Sequence, residues 1–242
     1  TGIMAGALCP IELMRQVNEK MFMDITIAYG MTETSPGMTQ TRVDDTFEVR
    51  CSTVGREYEF TEVVVLDPET GLECPVDVQG EICCRGYNVM KGYYKNPEAT
   101  AQVIDKNGFM HSGDLGIKDE NGNYRITGRI KDMIIRGGEN ISPKEVEDYL
   151  YKIPEVRDVQ VVAVASPKYG EDVGAFIILK DGCELTREDV RDFCKNHIAR
   201  YKIPRYVFFI KQFPMTGSGK IQRFKLKDLG LQLCKEQGIE SV

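Results

Sequence analysis

Long apolar runs are missing from this sequence: stretches such as Val161 to Ala165 stop far short of the roughly 20 residues a membrane-spanning helix needs. No segment is therefore expected to span a bilayer. Excess positive charge is missing too. Lys and Arg number 31 against 37 Asp and Glu, a formal net charge of −6. That balance argues against nucleic acid or an anionic membrane as partner, since both reward a basic surface. Any anionic ligand must then be met by local cations. Histidine occurs only twice, and the eight cysteines (Cys9, Cys51, Cys74, Cys83, Cys84, Cys183, Cys194, Cys234) form no CxxC pair and show no ligand-like clustering with the two histidines along the sequence. This usage fits a reducing, cytoplasmic compartment better than a disulfide or zinc framework. Cys194-x-x-His197 has a metal-like spacing, but it falls in an amphipathic helical pattern with no second Cys/His pair beside it, and it reads as packing. Internal repeats, low-complexity tracts and long charge blocks are absent, and so is a charged-then-apolar leader after Thr1.

What remains is an ordinary globular composition, 242 residues with 42% hydrophobic content, enough for two compact units. From Pro10 to Phe22, Leu13, Met14, Val17 and Met21 recur at helical spacing and predict an amphipathic helix starting at Pro10. Ile25 to Tyr29 is a β-prone run ending at Gly30, so the polar segment after it falls at a strand's carboxyl end, where α/β sheets bind ligands. From Val54 to Gly92 the pattern turns all-β, with strands at Thr61 to Asp67 and Gly80 to Gly86 around the turn Asp67-Pro68-Glu69-Thr70-Gly71. This predicts a small barrel-like subdomain. Asn96 caps a short helix, and Asn107-Gly108 and Glu120-Asn121-Gly122-Asn123 mark tight turns. Further on, Ser142-Pro143-Lys144-Glu145 reads as a capping box with Pro at the first helical position. Asp158 to Ala165, Val173 to Leu179 and Arg205 to Ile210 read as strands around a helix from Thr186 to Arg200, capped by Thr186 with Asp189. Together they predict a compact α+β unit. The loop Pro214-Met215-Thr216-Gly217-Ser218-Gly219-Lys220 fails as a P-loop, because Pro214 replaces the first Gly and Ile221 the Ser/Thr.

The segment Gly128 to Glu147, GRIKDMIIRGGENISPKEVE, joins a charged junction (Arg129-Ile130-Lys131-Asp132) to a short strand, a Gly-Gly turn and a helix start. It resembles the hinge motif of the adenylate-forming superfamily, which includes acyl-CoA synthetases, luciferases and peptide-synthetase adenylation domains. Three other stretches resemble the same family in the right order: IAYGMTE at Ile27 to Glu33, MHSGDLG at Met110 to Gly116 and PMTGSGKIQR at Pro214 to Arg223. The family's Ser/Thr/Gly-rich phosphate loop is not in this sequence. The resemblance therefore implies the C-terminal part of a longer enzyme. Residues 1–131 would be part of a large α/β N-terminal domain with the barrel-like subdomain, and residues 132–242 a mobile α+β C-terminal domain.

The resemblance also implies the chemistry. A carboxylic acid and ATP give an acyl-adenylate and pyrophosphate, and the acyl group then passes to a thiol, usually that of coenzyme A. Lys220 would be the mobile catalytic cation, carried on the glycines around it. Glu33 would bind Mg²⁺ together with substrate phosphate, and Thr32 would offer its hydroxyl to the α-phosphate. Tyr29 and Gly30, with Ala5-Gly6-Ala7, would line the adenine, although the family usually has Gly at the position of Ala5. Asp114 would accept from the ribose hydroxyls and Arg129 donate to the same sugar. Lys131 would be the pivot, and Gly137-Gly138 would border the pantetheine tunnel of CoA. GYNVMKGYY and GGENI resemble ligases of fatty or other apolar acids. A carrier-protein thiol as acceptor, or a non-catalytic nucleotide-binding module, stand as alternatives. The partners expected are the acid, ATP, CoA and the missing N-terminal part, with self-association along an exposed sheet edge.

Overall fold

The computed structural model describes residues 1–6, 11–217 and 219–236, which fall into two compact units, Thr1–Ile130 and Lys131–Val242. In the first unit, β1 (Gly2–Ala5) runs parallel to β2 (Ile25–Tyr29), with α1 (Ile11–Met21) between them in sequence. Met14 and the half-buried Val17 pack against Ile25 and Ile27. The apolar stripe of α1 is wider than the surface it covers, since Leu13 and Met21 stay 46% and 60% exposed. Pro10, expected to start this helix, lies outside the described residues. β3 (Thr39–Gln40) pairs antiparallel with β2, and β4 (Arg56–Glu57) with β3. Between them α2 (Phe47–Ser52) is capped by Thr46, whose hydroxyl accepts from the Val49 N–H.

A second, wholly antiparallel sheet follows in sequence order: β5 (Thr61–Leu66), β6 (Gly80–Gly86), β7 (Met110–Lys118) and β8 (Tyr124–Arg129). Between β6 and β7 lies α3 (Pro97–Val103), with Asn96 accepting from the Ala99 N–H as its cap. The strands do not close. The barrel-like subdomain expected from the sequence is an open sheet with β5 and β8 at its ends. The physical reason is that β8 begins by bonding to the segment that leads into β4: Val54 N–H donates to Tyr124 O and Tyr124 N–H to Gly55 O, each at 2.8 Å. Met38, Val63, Val65, Ile82, Cys84 and Tyr124 form the core at this junction. Gly55 (φ +76°) is obligatory there, because a Cβ would sit 2.0 Å from the Gln40 carbonyl carbon.

A single 3₁₀ turn at Ile130–Asp132 spans the boundary, and the second unit continues with the hairpin β9 (Ile134–Arg136) and β10 (Glu139–Ile141). After α4 (Pro143–Leu150), β11 (Val156–Ser166) and β12 (Gly170–Leu179) form a long antiparallel pair. β13 (Tyr206–Phe209) then adds in parallel to β12. The alternation of β11 divides the interior. Val159, Val161 and Ala163 face a core with Val146 and Leu150 of α4 and with Val190 and Cys194 of α5 (Arg187–Cys194). Val162 and Val164 face a second core with Leu226 and Cys234 of α6 (Arg223–Glu236). A sheet covered on both faces explains why its strands read as continuous apolar runs.

Two helix ends differ from the sequence expectation. Ser142 occupies the N-cap and Pro143 follows it, but Ser142 makes no side-chain cap bond. Glu145 is drawn instead to Lys202, whose Nζ donates to its two oxygens at 2.6 and 2.7 Å, so the expected box does not form. The Thr186/Asp189 box does form. The helix it starts ends at Cys194 rather than Arg200, because Lys195 is extended and Asn196 takes the left-handed φ of +64°.

Candidate active site

In the first unit, β2 runs out at Tyr29 and the chain turns sharply through Gly30. A side chain at Gly30 would meet the Pro36 carbonyl oxygen at 2.1 Å, so the loop folds back over the strand end only with glycine there. Thr32–Thr34 form one 3₁₀ turn, closed by Thr34, whose hydroxyl accepts from Met31 N–H at 3.2 Å. Thr32 is exposed and Glu33 half-buried. The Tyr93 hydroxyl donates to Glu33 Oε1 at 2.8 Å, and the Glu33 carbonyl accepts from Met90 N–H at 2.8 Å. That bond to Glu33 raises the Tyr93 pKa. Among the described residues the other Glu33 oxygen carries no hydrogen bond. It is a hard oxygen donor of the kind Mg²⁺ accepts.

Asp114 is where separated motifs meet. Its carboxylate, on β7 and 8% exposed, accepts from the Tyr29 hydroxyl at 2.8 Å through Oδ2 and from Arg129 Nε at 2.6 Å through Oδ1. A carboxylate has about four lone-pair directions, so two donors leave acceptor capacity for a diol. Burial first, and then the neighbouring Asp114 charge, push the Tyr29 phenol far above its usual range, so it stays a neutral donor. The backbone beneath is fixed as well. Asp114 N–H donates to Ser112 Oγ at 3.0 Å, Ser112 Oγ donates to Ile82 O at 2.6 Å, and Gly113 N–H donates to Glu81 Oε1 at 2.8 Å. The bonds from Tyr93 to Glu33, Ser112 to Ile82 and Gly113 to Glu81 were not legible in the sequence, although Tyr93 and Ser112 lie within GYNVMKGYY and MHSGDLG, because each joins partners brought together by tertiary packing. On the neighbouring strand, Ala5 pairs with Ala28 and Gly6 takes φ +82°. Ala7 lies outside the described residues.

In the second unit, Lys131 is exposed within the 3₁₀ turn. Gly137 and Gly138 make the β9–β10 turn with φ of +58° and +93°. Gly137 N–H donates to Tyr169 O at 3.0 Å, and a Cβ on Gly137 would press on the Tyr169 ring at 3.1 Å. Lys220 stands exposed at the end of a tight turn. Thr216 N–H donates to Lys220 O at 2.8 Å, Lys220 N–H to Thr216 Oγ1 at 3.1 Å, and Gly219 has φ +80°. Among the described residues its ammonium has no ion-pair partner. Three residues on, Arg223 binds Glu147 through Nη2 at 2.8 and 3.1 Å and Val161 O through Nη1 at 3.1 Å, which ties the base of this turn to α4 and β11. Cys194 is buried in the core, while His197 Nδ1 lies 2.8 Å from Lys195 O, so this spacing builds no metal cluster among the described residues.

Comparison with known proteins bears on the same residues. The model of AMP-binding enzymes matches residues 1–94, and that of the AMP-binding enzyme C-terminal domain matches residues 145–220. The chain belongs to the AMP-binding, adenylate-forming enzymes. It is 53% identical over 234 residues to YngI of Bacillus subtilis, named as an acyl-CoA synthetase, covering 96% of this chain and 43% of YngI. It is 43% identical over 228 residues to the human mitochondrial medium-chain acyl-CoA ligase ACSF2, covering 94% of this chain and 37% of that protein. The chain thus spans less than half the length of these adenylate-forming relatives. Among solved structures, ATP-bound MatB from Rhodopseudomonas palustris superposes with a TM-score of 0.88 at 32% identity, over 96% of this chain and 45% of MatB. The o-succinylbenzoate CoA synthetase MenE of Bacillus subtilis, in complex with its acyl-adenylate intermediate, gives 0.79 at 32% identity over 93% of this chain and 45% of MenE. Among the described residues, no helix is long and apolar enough to cross a membrane.

Proposed function

We propose that this chain is the C-terminal part of an ATP-dependent acid–thiol ligase, which activates a fatty or other apolar carboxylic acid as its adenylate and passes the acyl group to coenzyme A. The observation that carries this reading is the convergence on Asp114, where Tyr29 and Arg129 hold one nearly buried carboxylate beside the end of β2. A fixed acceptor with spare lone pairs suits the two hydroxyls of a ribose, and the exposed guanidinium of Arg129 suits the same sugar. Tyr29, Gly30 and the Ala5-Gly6-Ala7 segment border the adenine, and Thr32 donates to the α-phosphate. Mg²⁺, held by Glu33 with phosphate oxygens and water, would offset charge on the triphosphate.

Lys220 meets the charge that develops as pyrophosphate leaves, and its lack of an ion-pair partner among the described residues keeps it free for that task. The backbone turn at Lys131 is the pivot by which the second unit changes its work between half-reactions. Gly137 and Gly138 then border the pantetheine arm of CoA, since glycines put no side chain in its path. The partners are the acid, ATP, CoA and the N-terminal part of the same enzyme. The seven described cysteines are free thiols, in keeping with a reducing compartment, which we take to be the cytoplasm, although the ACSF2 relatives are mitochondrial.

The test is acid-dependent ATP–pyrophosphate exchange by the complete enzyme, followed by CoA thioester formation across a chain-length series of acids. Exchange and thioester formation are both expected. Exchange with transfer only to a carrier-protein thiol, or release of free adenylate, would replace CoA as acceptor. Nucleotide binding with no exchange would leave only a binding module.

A further inference from the structure

Outside the nucleotide residues, β6 and β7 bring together three side chains to which the ligase reading assigns no chemistry. Glu81 and Cys83 stand two apart on β6, on either side of an irregularity in the β6–β7 ladder, and His111 is the cross-strand register partner of Cys83 on β7. His111 Nδ1 lies 2.8 Å from Glu81 Oε2 and 3.4 Å from Cys83 Sγ. The donor atoms of all three lie within 4.8 Å of one another. Cys83 is fully buried, while the Glu81 and His111 side chains are 10% and 30% exposed. We propose that Glu81, Cys83 and His111 form a binding site for a borderline-soft divalent cation of the zinc class, separate from the Mg²⁺ of the adenylation reaction.

The geometry separates this reading from a Cys–His–acid nucleophile. A relay needs the acid on one ring nitrogen and the thiol on the other, whereas here both approach Nδ1. Convergence of S, N and O on one point is instead the arrangement of metal ligands. Zn–S of about 2.3 Å and Zn–N of about 2.0 Å at a tetrahedral angle place S and N roughly 3.5 Å apart. The Cys83–His111 separation already meets that. The Glu81–His111 pair must open by about half an ångström, within reach of a side-chain adjustment.

The surroundings are those of a supported site. Asp105 Oδ2 lies 4.0 Å from His111 Nε2, on the nitrogen a metal would leave free, and Glu81 Oε1 is already held by Gly113 N–H at 2.8 Å. Burial first, then the charges of Glu81 and Asp105, keep the Cys83 thiol protonated well above its usual range. The same negative surroundings favour a cation. Binding breaks the S–H bond, forms a metal–thiolate bond and releases one proton to solvent. Hard ions such as Mg²⁺ and Ca²⁺ gain little from sulfur and imidazole, so the site discriminates against them. His111 is open enough for water to supply a fourth ligand.

The test uses the chain freed of metal by a chelator and titrated with Co²⁺, whose thiolate complex absorbs in the near ultraviolet. One equivalent is expected to produce the band, Zn²⁺ to displace it, and excess Mg²⁺ to leave it intact. Replacing Cys9, Cys51, Cys74 and Cys183 together by Ser should preserve the band. Cys83→Ser should abolish it and weaken Zn²⁺ at least about tenfold in a competition assay, and His111→Gln should weaken it similarly. No band at one equivalent, a band that survives Cys83→Ser, or one lost with the four other cysteines overturns the proposal. X-ray absorption at the zinc edge on the unaltered chain removes any dependence on variant folding. One sulfur with nitrogen and oxygen neighbours is expected, and a shell with no sulfur or with several sulfurs overturns the assignment.

Discussion

Replacing Arg223 by Met strips the buried carboxylate of Glu147 of its counter-charge while keeping most of the apolar stem. Glu147 is 6% exposed, and its Oε1 also accepts from Val161 N–H at 2.8 Å, so the carboxylate cannot turn to water. Removing one partner of a buried pair costs about 3–5 kcal/mol. The Arg223 side chain keeps 28% of its surface in solvent, so water can reach the vacated space, and the lower end of about 3 kcal/mol applies. At a urea dependence of about 2 kcal/mol per molar, that is a midpoint shift of roughly 1.5 M. The penalty depends on pH in a definite direction. Burial raises the Glu147 pKa despite the opposing Arg223 charge, so the folded value exceeds the unfolded one. The stability this contributes is fully present below the unfolded value and is lost as pH rises through the folded value. Removing Arg223 raises the folded value further, so the variant should lose less at pH 5 than at pH 8. Urea unfolding of the chain at both pH values, with amide exchange at Val161 reporting the second unit, measures the effect. Arg223→Met with Glu147→Gln should recover most of the loss, since the amide oxygen can still accept from Val161. A penalty independent of pH, or no recovery in the double variant, would refute the reasoning.

In the complete enzyme, Lys220→Ala should slow adenylate formation by orders of magnitude yet spare thioester formation from preformed adenylate; equal loss in pyrophosphate exchange and thiolysis would count against its assigned role. Lys131→Pro should impair thioester formation more than exchange, because proline fixes φ at the pivot; unchanged acyl-CoA synthesis would remove the hinge from the mechanism. The 242-residue chain by itself should show no appreciable acid-dependent exchange, lacking a phosphate loop, and light scattering should detect self-association along the β1 edge, where Ile3 is 64% exposed. Exchange at rates ordinary for such ligases, or a strictly monomeric chain, would contradict this.

Much of the fold was legible where local chemistry and periodicity agree. The run Ile25 to Tyr29, the strands at Thr61 and Gly80, and the Asn96 and Thr186 caps all depend on residues within a few positions of one another. What failed depends on distant competition. Glu145 leaves its expected capping role for Lys202, and the four strands stay open because β8 bonds to the loop at Val54–Gly55. Helix α6 was illegible for another reason. Its charges at Lys225, Lys227 and Asp228 blur the apolar stripe, and Gly230 lowers helix propensity in its interior. That glycine has a packing reason: a Cβ there would stand 3.0 Å from Val164 Cγ2, so it lets α6 lie close on the sheet.

The candidate site shows the same limit more sharply. Tyr29 and Asp114 are 85 positions apart, and no local pattern could join them. Arg129 is subtler, because the strand register decides whether it meets Asp114. From Lys118↔Tyr124 through Gly116↔Ile126 the β7–β8 ladder is regular, and continued unchanged it would set Gly128 opposite Asp114. The irregularity between Leu115 and Gly116 skips Thr127, so the next pairs are Leu115↔Gly128 and Asp114↔Arg129. One extra residue on β8 therefore turns a carboxylate facing a glycine into one facing a guanidinium, held at 2.6 Å. A period-2 reading carries no count of such insertions, and a slip of one residue exchanges every partner along the strand. The acid–base pair on which the nucleotide reading rests is thus a product of a bulge, and it became visible only once the register was known.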